Sequence, residues 1–286
     1  MRVGVATIQR GRLDHVERQV VATADGTTRP DAHVVVSMDP EGDESARERI
    51  AAADVGTAGA PRVLRLPVPD GAPLPLARAR NTAIAALGDV DLAVLLDVDC
   101  IPGPELVARY AAAAARRDGL LAGPVGHLPA GRPRGVRLDA ADRRAADVRG
   151  ARPVPDDGAL LDEPRHELFW SLSFAVSPAT HARIGGFDEG YVGYGGEDTD
   201  YAFRARRAGV GLTWVGDAWA YHQHHAVSSP PREHLHDIVL NARRFRETWG
   251  RWAMEGWLAA FAAEGLVDWD PAGDRLVVQG PAGSGG

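Results

Sequence analysis

The chain has a single cysteine, Cys100, so no internal disulfide forms and nothing calls for an oxidising compartment. Lysine is absent and arginine carries the basic charge, a bias from which no chemistry follows. No apolar run approaches the roughly 20 residues of a membrane span. The opening MRVGVATIQRGR has a very short apolar core and no small-residue cleavage site, so a secretory signal is not expected and the cytoplasm is the default location. A basic excess is missing too, since the formal net charge is −7 over 286 residues. A nucleic-acid partner needs a basic face to neutralise phosphates, so that class is set aside. Any polyanionic ligand must be held locally, by a metal ion or a few arginines.

What is present is an ordinary globular balance, 45% hydrophobic and 25% charged residues, which builds a sizeable core. RVGVATI, DAHVVVSMDP, PRVLRLPV and DLAVLLDVD read as strands. LDHVERQVVATA, ESARERIAAA, LARARNTAIAAL and GPELVARYAAAAARRDG read as helices between and after them. This alternation predicts an α/β domain, a central and mostly parallel sheet with helices on both faces. The stretch 129–165 is rich in Arg, Asp, Pro and Gly and lacks clear periodicity, which suits a lid or a solvated surface excursion. Order returns at HELFWSLSFAVSPATHARIGGF, followed by a helix at DTDYAFRARRAG and a strand at VGLTWVGDAWAYHQHH. Residues 1–225 form the expected core and 226–270 a helical extension. The tail 271–286 ends in GPAGSGG, whose glycines predict disorder.

Three clusters carry chemistry. In LLDVDCIP, Asp97 and Asp99 follow a strand apolar enough to be buried on both faces. Residues two apart on a strand share a face; alternatively the chain turns at Asp99, because CIPGP is a poor continuation of a ladder. Either way the carboxylates lie at the C-terminal edge of a central parallel strand, where open α/β sheets bind ligands. Oxygen donors there suit Mg²⁺ or Mn²⁺, with salt bridges or turn caps as the plain alternative. In GFDEGYVGYGGEDTDYAFRARRAG, Gly193, Gly195 and Gly196 form a flexible loop before Glu197, Asp198 and Asp200 at a helix start. One of these acids suffices as an N-cap, for which Asp198 is the candidate; two adjacent ones are placed to meet a ligand, and a carboxylate is a competent base for a hydroxyl. In AYHQHH, His222, His224 and His225 stand at a strand end, with His222 and His224 on one face and available beside carboxylates to Mn²⁺, or simply exposed.

Together ARARNTAIAAL, LLDVDCIP, GGFDEGYVGYGGEDTDYAFRARRAG and AYHQHH, in that order, resemble the glycosyltransferases of the GT-A fold. The likeness is to the family 2 enzymes and to the C-terminal half shared by β-1,4-galactosyltransferases and polypeptide N-acetylgalactosaminyltransferases. It spans roughly residues 1–225, and GYGGEDTD is its sharpest element. It implies a Rossmann-like nucleotide-diphospho-sugar transferase domain that moves a sugar from a nucleotide-sugar, a UDP-sugar above all, to an acceptor hydroxyl with inversion, aided by Mn²⁺ or Mg²⁺.

Residue by residue, the resemblance makes Asp99 and His222 metal ligands, with Asp97 touching ribose or metal and His224 an alternative ligand. It makes Asp198 the base and places Glu197, Gly196 and Trp170 at the acceptor. Thr7, Arg10, Asp39, Arg80, Asn81 and Ser173 would surround the nucleotide-sugar, Asp39 at the uracil edge. Two positions depart from the family: SMDP stands where relatives carry DDGS, and Ser173 where they often carry Gly or Asn. A retaining transferase on the same fold remains open, as does a non-catalytic sugar-nucleotide-binding protein. A haloacid-dehalogenase-type phosphotransferase also uses D-x-D, but Ile101 and the mid-chain position depart from that pattern.

Overall fold

The computed structural model describes residues 1–41, 44–53, 60–148, 150, 152–225 and 228–279. Its first part alternates strand and helix as the pattern predicts: β1 (Val3–Gln9), α1 (Leu13–Ala24), β2 (Ala32–Ser37), α2 (Ser45–Ala52), β3 (Arg62–Arg65), α3 (Leu76–Ala86), β4 (Leu92–Leu96), β5 (Cys100–Pro102) and α4 (Leu106–Ala114). There follow β6 (Leu120–Ala122), β7 (Val125–His127), α5 (Ala140–Ala145), β8 (Asp147–Val148), β9 (Leu160–Glu163), β10 (Ser173–Val176) and α6 (Pro178–Ile184). Then come α7 (Glu197–Arg207), β11 (Leu212–Val215), β12 (Ala220–His222), α8 (Leu235–Trp249), α9 (Glu255–Ala263), β13 (Val267–Trp269) and β14 (Leu276–Val278).

The main sheet has eight strands in the order β3-β2-β1-β4-β10-β6-β11-β9. β3, β2, β1 and β4 run parallel, as do β6 and β11. β10 is antiparallel between β4 and β6, and β9 is antiparallel on the edge of β11. Alternation decides which side chains face which layer. Val34 and Val36 pack with Ala83 and Ile84 of α3, while Val35 faces Val16 and Val20 of α1. β4 is buried along its whole length, as its unbroken LAVLL run requires between two helical layers.

The sequence-based reading needs two corrections, and two of its segments hold regular structure that their composition does not announce. VGLTWVGDAWAYHQHH is two strands, not one: the chain turns at Asp217, whose φ of 64° is left-handed, and passes from β11 to a second sheet ordered β5-β12-β7-β8. CIP does pair, antiparallel to β12, because Pro102 stands at the end of its strand, where a missing donor is tolerated. The 129–165 stretch holds α5, closed by a reciprocal Asp139–Asp142 capping box, as well as β8 and the edge strand β9. The tail from 271 contributes β14, which pairs with β13; only GPAGSGG, residues 280–286, lies outside the described residues.

The C-terminal extension is bound to the core by aromatic burial. Phe245 of α8, fully buried, packs with Tyr191 and Phe203, and each such side chain contributes roughly 1.5–3 kcal/mol. Ile238, Trp252, Leu258, Phe261 and Leu276 form the extension's own small core. Among the described residues no helix is long and apolar enough to cross a membrane.

Candidate functional site

Two acidic centres meet at the C-terminal edge of β4. That strand ends at Leu96, so the chain is already turning at Asp97 and the two carboxylates part company. Buried Gln19 fastens the turn: its amide donates to the Asp97 and Cys100 carbonyls at 2.7 and 2.8 Å and accepts from the Thr7 hydroxyl at 2.6 Å. Thr7 thus helps to shape the turn through Gln19.

Asp99 is 5% exposed and lies among one arginine and two histidines. Arg12 donates to one oxygen, His225 Nε2 lies 3.3 Å from the same oxygen, and His15 Nδ1 contacts the other. Burial pushes the carboxyl up, but these bonds and the Arg12 charge outweigh it and hold it well below the usual carboxylate range. One ligand atom each from Asp99, His222 and His225 lie within 4.8 Å of one another. Burial pushes the His222 imidazole down to about 4, leaving it neutral at ordinary pH.

Sequence reasoning named His224 as the alternative ligand; the structure places His225, not His224, beside Asp99 and His222. β12 stops at His222, so strand alternation no longer applies beyond it. Gln223 turns inward, its N–H donating to the Asp99 carbonyl at 2.7 Å, and His225 swings back to the carboxylate. His224 lies outside the cluster and lines an open hollow of about 390 Å³ with His15, Arg18 and the loop 131–134. Asp97 is likewise outside the cluster; its neighbours are Arg80 and, more weakly, Asp99 and Arg12.

The second centre is the first turn of α7. Its N-cap is Gly196, at φ 93°, and no side chain caps it, so Asp198 is not the cap. Burial first, and then repulsion from Glu197, push the Asp198 carboxyl up to about 6, against the Arg80 charge and an N–H bond from Thr199 at 2.7 Å. Glu197 pairs with buried Arg80 at 2.8 Å, while its other oxygen is buried with no hydrogen-bond partner. Burial pushes the Arg80 guanidinium down, but the charges of Glu197, Asp97 and Asp198 keep it ionised. Arg80, expected beside the nucleotide-sugar, pairs with Glu197 in this structure.

Four other expected donor contacts have their polar atoms engaged within the protein. The Asn81 amide donates to the Phe187 carbonyl and accepts from the Phe187 N–H, both at 2.9 Å, pinning the loop before the glycines. Arg10 donates to the Met38 and Val68 carbonyls and pairs with Asp70 at 2.7 Å, stapling three strand ends. Asp39, 4% exposed, accepts from Gln9, Ser37 and the Gly11 N–H. Ser173 bonds the Tyr110 hydroxyl at 2.9 Å, which in turn takes the Gly123 N–H. Trp170 is 46% exposed, with the Arg152 guanidinium 3.3 Å from its ring centroid.

The glycine loop is not free, as flexibility would require. Asn241 of α8 donates to the carbonyls of Val192 and Tyr194, and Asp237 accepts from the Tyr194 N–H at 3.2 Å. The glycines serve close approach: a Cβ on Gly193 would lie 2.2 Å from the Asp237 carboxyl carbon. Sequence reasoning did not single out Arg12, His15, Arg152 or Tyr194. Arg12 and His15 had a signal, since they follow β1 in a βα connection, the kind that faces the ligand edge.

Residues 165–226, which hold Trp170, Ser173, Glu197, Asp198, His222 and His225, match the model of the N-terminal domain of galactosyltransferase. Validoxylamine A glucosyltransferase of Streptomyces hygroscopicus subsp. jinggangensis (strain 5008) is 32% identical over 82 residues, 27% of this chain and 18% of that protein. Its counterpart in subsp. limoneus is 32% identical over 82 residues, 27% of this chain and 17% of its own. The match thus spans less than a fifth of these curated relatives. Among solved structures, GalNAc-T7 with UDP, GalNAc and Mn²⁺ is similar at a TM-score of 0.58 and 15% identity, over 92% of this chain and 57% of that one. S. aureus TarS 1-349 in complex with UDP-GlcNAc gives a TM-score of 0.56 and 13% identity, over 86% and 67%. With these neighbours and this mixed, mostly parallel sheet, the chain has the GT-A-type glycosyltransferase fold.

Proposed function

We propose that this protein transfers a sugar from a UDP-sugar to an acceptor hydroxyl, inverting the anomeric carbon, with Asp198 as the base and a divalent ion on Asp99, His222 and His225. The observation that carries this reading is that three-residue cluster at the C-terminal edge of a GT-A sheet. The donor set fits a metal: an ionised carboxylate beside a neutral buried imidazole offers two lone pairs, and nitrogen ligands favour Mn²⁺ over Mg²⁺. Bound there, the ion would offset the charge that grows on the departing diphosphate. The UDP and Mn²⁺ in the GalNAc-T7 structure and the UDP-GlcNAc in that of TarS support the choice of donor and ion.

The protein's own groups do the rest. The acceptor oxygen bonds to the anomeric carbon as the bond to the diphosphate breaks and UDP leaves with the electron pair. The hydroxyl proton passes to Asp198, whose raised pKa makes it a stronger base than an exposed aspartate. The second oxygen of Glu197, buried and without a hydrogen-bond partner, would accept from a second acceptor hydroxyl once the acceptor is seated. Asp39, fixed at the end of β2, would meet the uracil edge.

Thermal shift against UDP-, GDP- and dTDP-sugars, with and without Mn²⁺, tests the reading. Stabilisation is expected from the UDP compounds and only with the ion; no Mn²⁺-dependent shift with any of them ends it. His225→Ala should weaken Mn²⁺-dependent UDP binding by roughly 10-fold or more in calorimetry, an effect on the scale of losing a group that supports a metal site. His224→Ala should leave that affinity unchanged, and a loss there equal to that of His225→Ala would return His224 to the ligand set.

A further inference from the structure

The stretch 129–152 carries seven arginines against three aspartates, in a chain whose net charge is −7. The transfer reading gives these arginines no task. The loop that opens the stretch is fastened along α1 and forms a fixed wall. Arg18 of α1 donates from Nε to the Gly135 carbonyl at 3.3 Å, and Arg137 pairs at 2.6 Å with Asp25, the residue that closes α1. Arg132 reaches the other way, to Asp142 in the capping box of α5, at 2.6 Å.

Between α1 and this loop lies the open hollow of about 390 Å³, within the roughly 300–1,000 Å³ of ordinary small-ligand sites. Arg18, Arg132, Arg134, His15 and His224 line it, and among the described residues no aspartate or glutamate does. The carboxylates nearby are committed elsewhere: Asp142 holds Arg132, Asp14 holds Arg49 at 2.7 Å, and Asp99 lies in the histidine cluster. Arg18 makes two hydrogen bonds, both to neutral oxygens, those of Gly135 and the Gln223 side chain, and neither uses Nη2. Arg134 is exposed and makes no hydrogen bond or ion pair among the described residues.

Unpaired guanidinium groups gathered in one hollow repel one another, and an anion between them relieves that repulsion. The planar forks of arginine match the oxygens of phosphate, whose tetrahedral arrangement can be met by two forks at once, here one from a helix and one from a loop. A carboxylate has only two coplanar oxygens and suits a single fork.

We propose that this hollow is a phosphate-binding site, separate from the metal cluster, in which Arg18 and Arg134 hold the phosphate of a free ion or of a phosphate ester. It goes beyond the transfer reading, because it needs neither the divalent ion nor the acid pair. The two sites are neighbours: Gln223, which accepts from Arg18 at 3.2 Å, donates its backbone N–H to the Asp99 carbonyl at 2.7 Å, and His15 bonds the Asp99 carboxylate.

Titration calorimetry on the full chain, stripped of metal on a chelating resin and held at low ionic strength, tests this. The probes are inorganic phosphate and glucose 6-phosphate, with acetate and glucose as controls. Phosphate and the ester should bind, acetate about ten-fold more weakly or worse, and glucose not at all. Arg134→Ser, at an exposed position with no bond to lose, should weaken phosphate binding about five-fold or more. Arg18→Gln should act in the same direction, and Arg134→Ser decides alone if that variant does not fold. An ester bound about ten-fold tighter than phosphate identifies a phosphate ester as the ligand; equal or weaker binding of the ester identifies phosphate itself. No binding of either probe, acetate as tight as phosphate, or wild-type affinity in Arg134→Ser overturns the site. Phosphate binding that Arg134→Ser weakens, in a protein with no Mn²⁺-dependent shift from a UDP-sugar, would end the transfer reading and leave this site standing.

Discussion

Asp198→Asn should lower the rate of sugar transfer by roughly 10²–10⁴-fold, the usual worth of a positioned base, while leaving Mn²⁺-dependent UDP binding in place. Asparagine keeps the shape and still accepts the Thr199 N–H, which lies 2.7 Å from the aspartate oxygen, so the loss is one of proton affinity. In the wild type, transfer should rise with pH through about 6, as the carboxyl gives up its proton.

The same substitution should make the protein more stable. Asp198 ionises near 3.8 in the unfolded chain and about 6 in the fold, so the folded state holds the proton more tightly. Raising the pH from about 4 to above 6 therefore costs the wild type stability, on the order of 1–3 kcal/mol, and the neutral variant escapes that cost. Its melting temperature should match the wild type near pH 4 and exceed it at pH 8. Near-normal turnover would place the base elsewhere; an unchanged melting temperature at pH 8 would mean the carboxylate is better solvated than its burial indicates.

Arg80→Met should be the more damaging change to the fold. Arg80 is 7% exposed and is the cation that faces Glu197, Asp97 and Asp198 together. Removing one partner of a buried pair leaves an uncompensated charge and typically costs about 3–5 kcal/mol. Part of that loss is recovered when the acids take up protons, so the pH profile of transfer in the variant should move to the alkaline side of the wild type. Arg80→Lys should rescue only part, because an ammonium does not reproduce the planar fork. Urea denaturation within about 1 kcal/mol of the wild type, together with an unmoved pH profile, would remove Arg80 from this role.

Much of the architecture was legible because its signals are local. The apolar run of β4 and the alternation through α4 mark a parallel half-sheet, and LLDVD marks the edge at which a ligand is met. What the sequence hid was where polar atoms go. Arg10, Asn81 and Ser173, expected at the donor, each bond a residue far away in the chain, and no spacing rule foretells such a partner. His224 was favoured over His225 because alternation was carried past the end of β12, where it no longer holds. The β13–β14 hairpin did have a signal, since DPAGD between LVDW and RLVV is a turn between two short apolar runs, but its strands are brief and lie in a polar tail.

The small second sheet has a mechanical consequence. Cys100, next to Asp99, is the ladder partner of His222, and the Gln223 N–H closes on the Asp99 carbonyl. The turn that bears Asp99 and the strand end that bears His222 are thus tied to one pleated frame, although they come from distant stretches of chain. If the proposed ion binds there, a chelator should silence transfer reversibly without lowering the melting temperature, because the frame is held by backbone hydrogen bonds that need no metal.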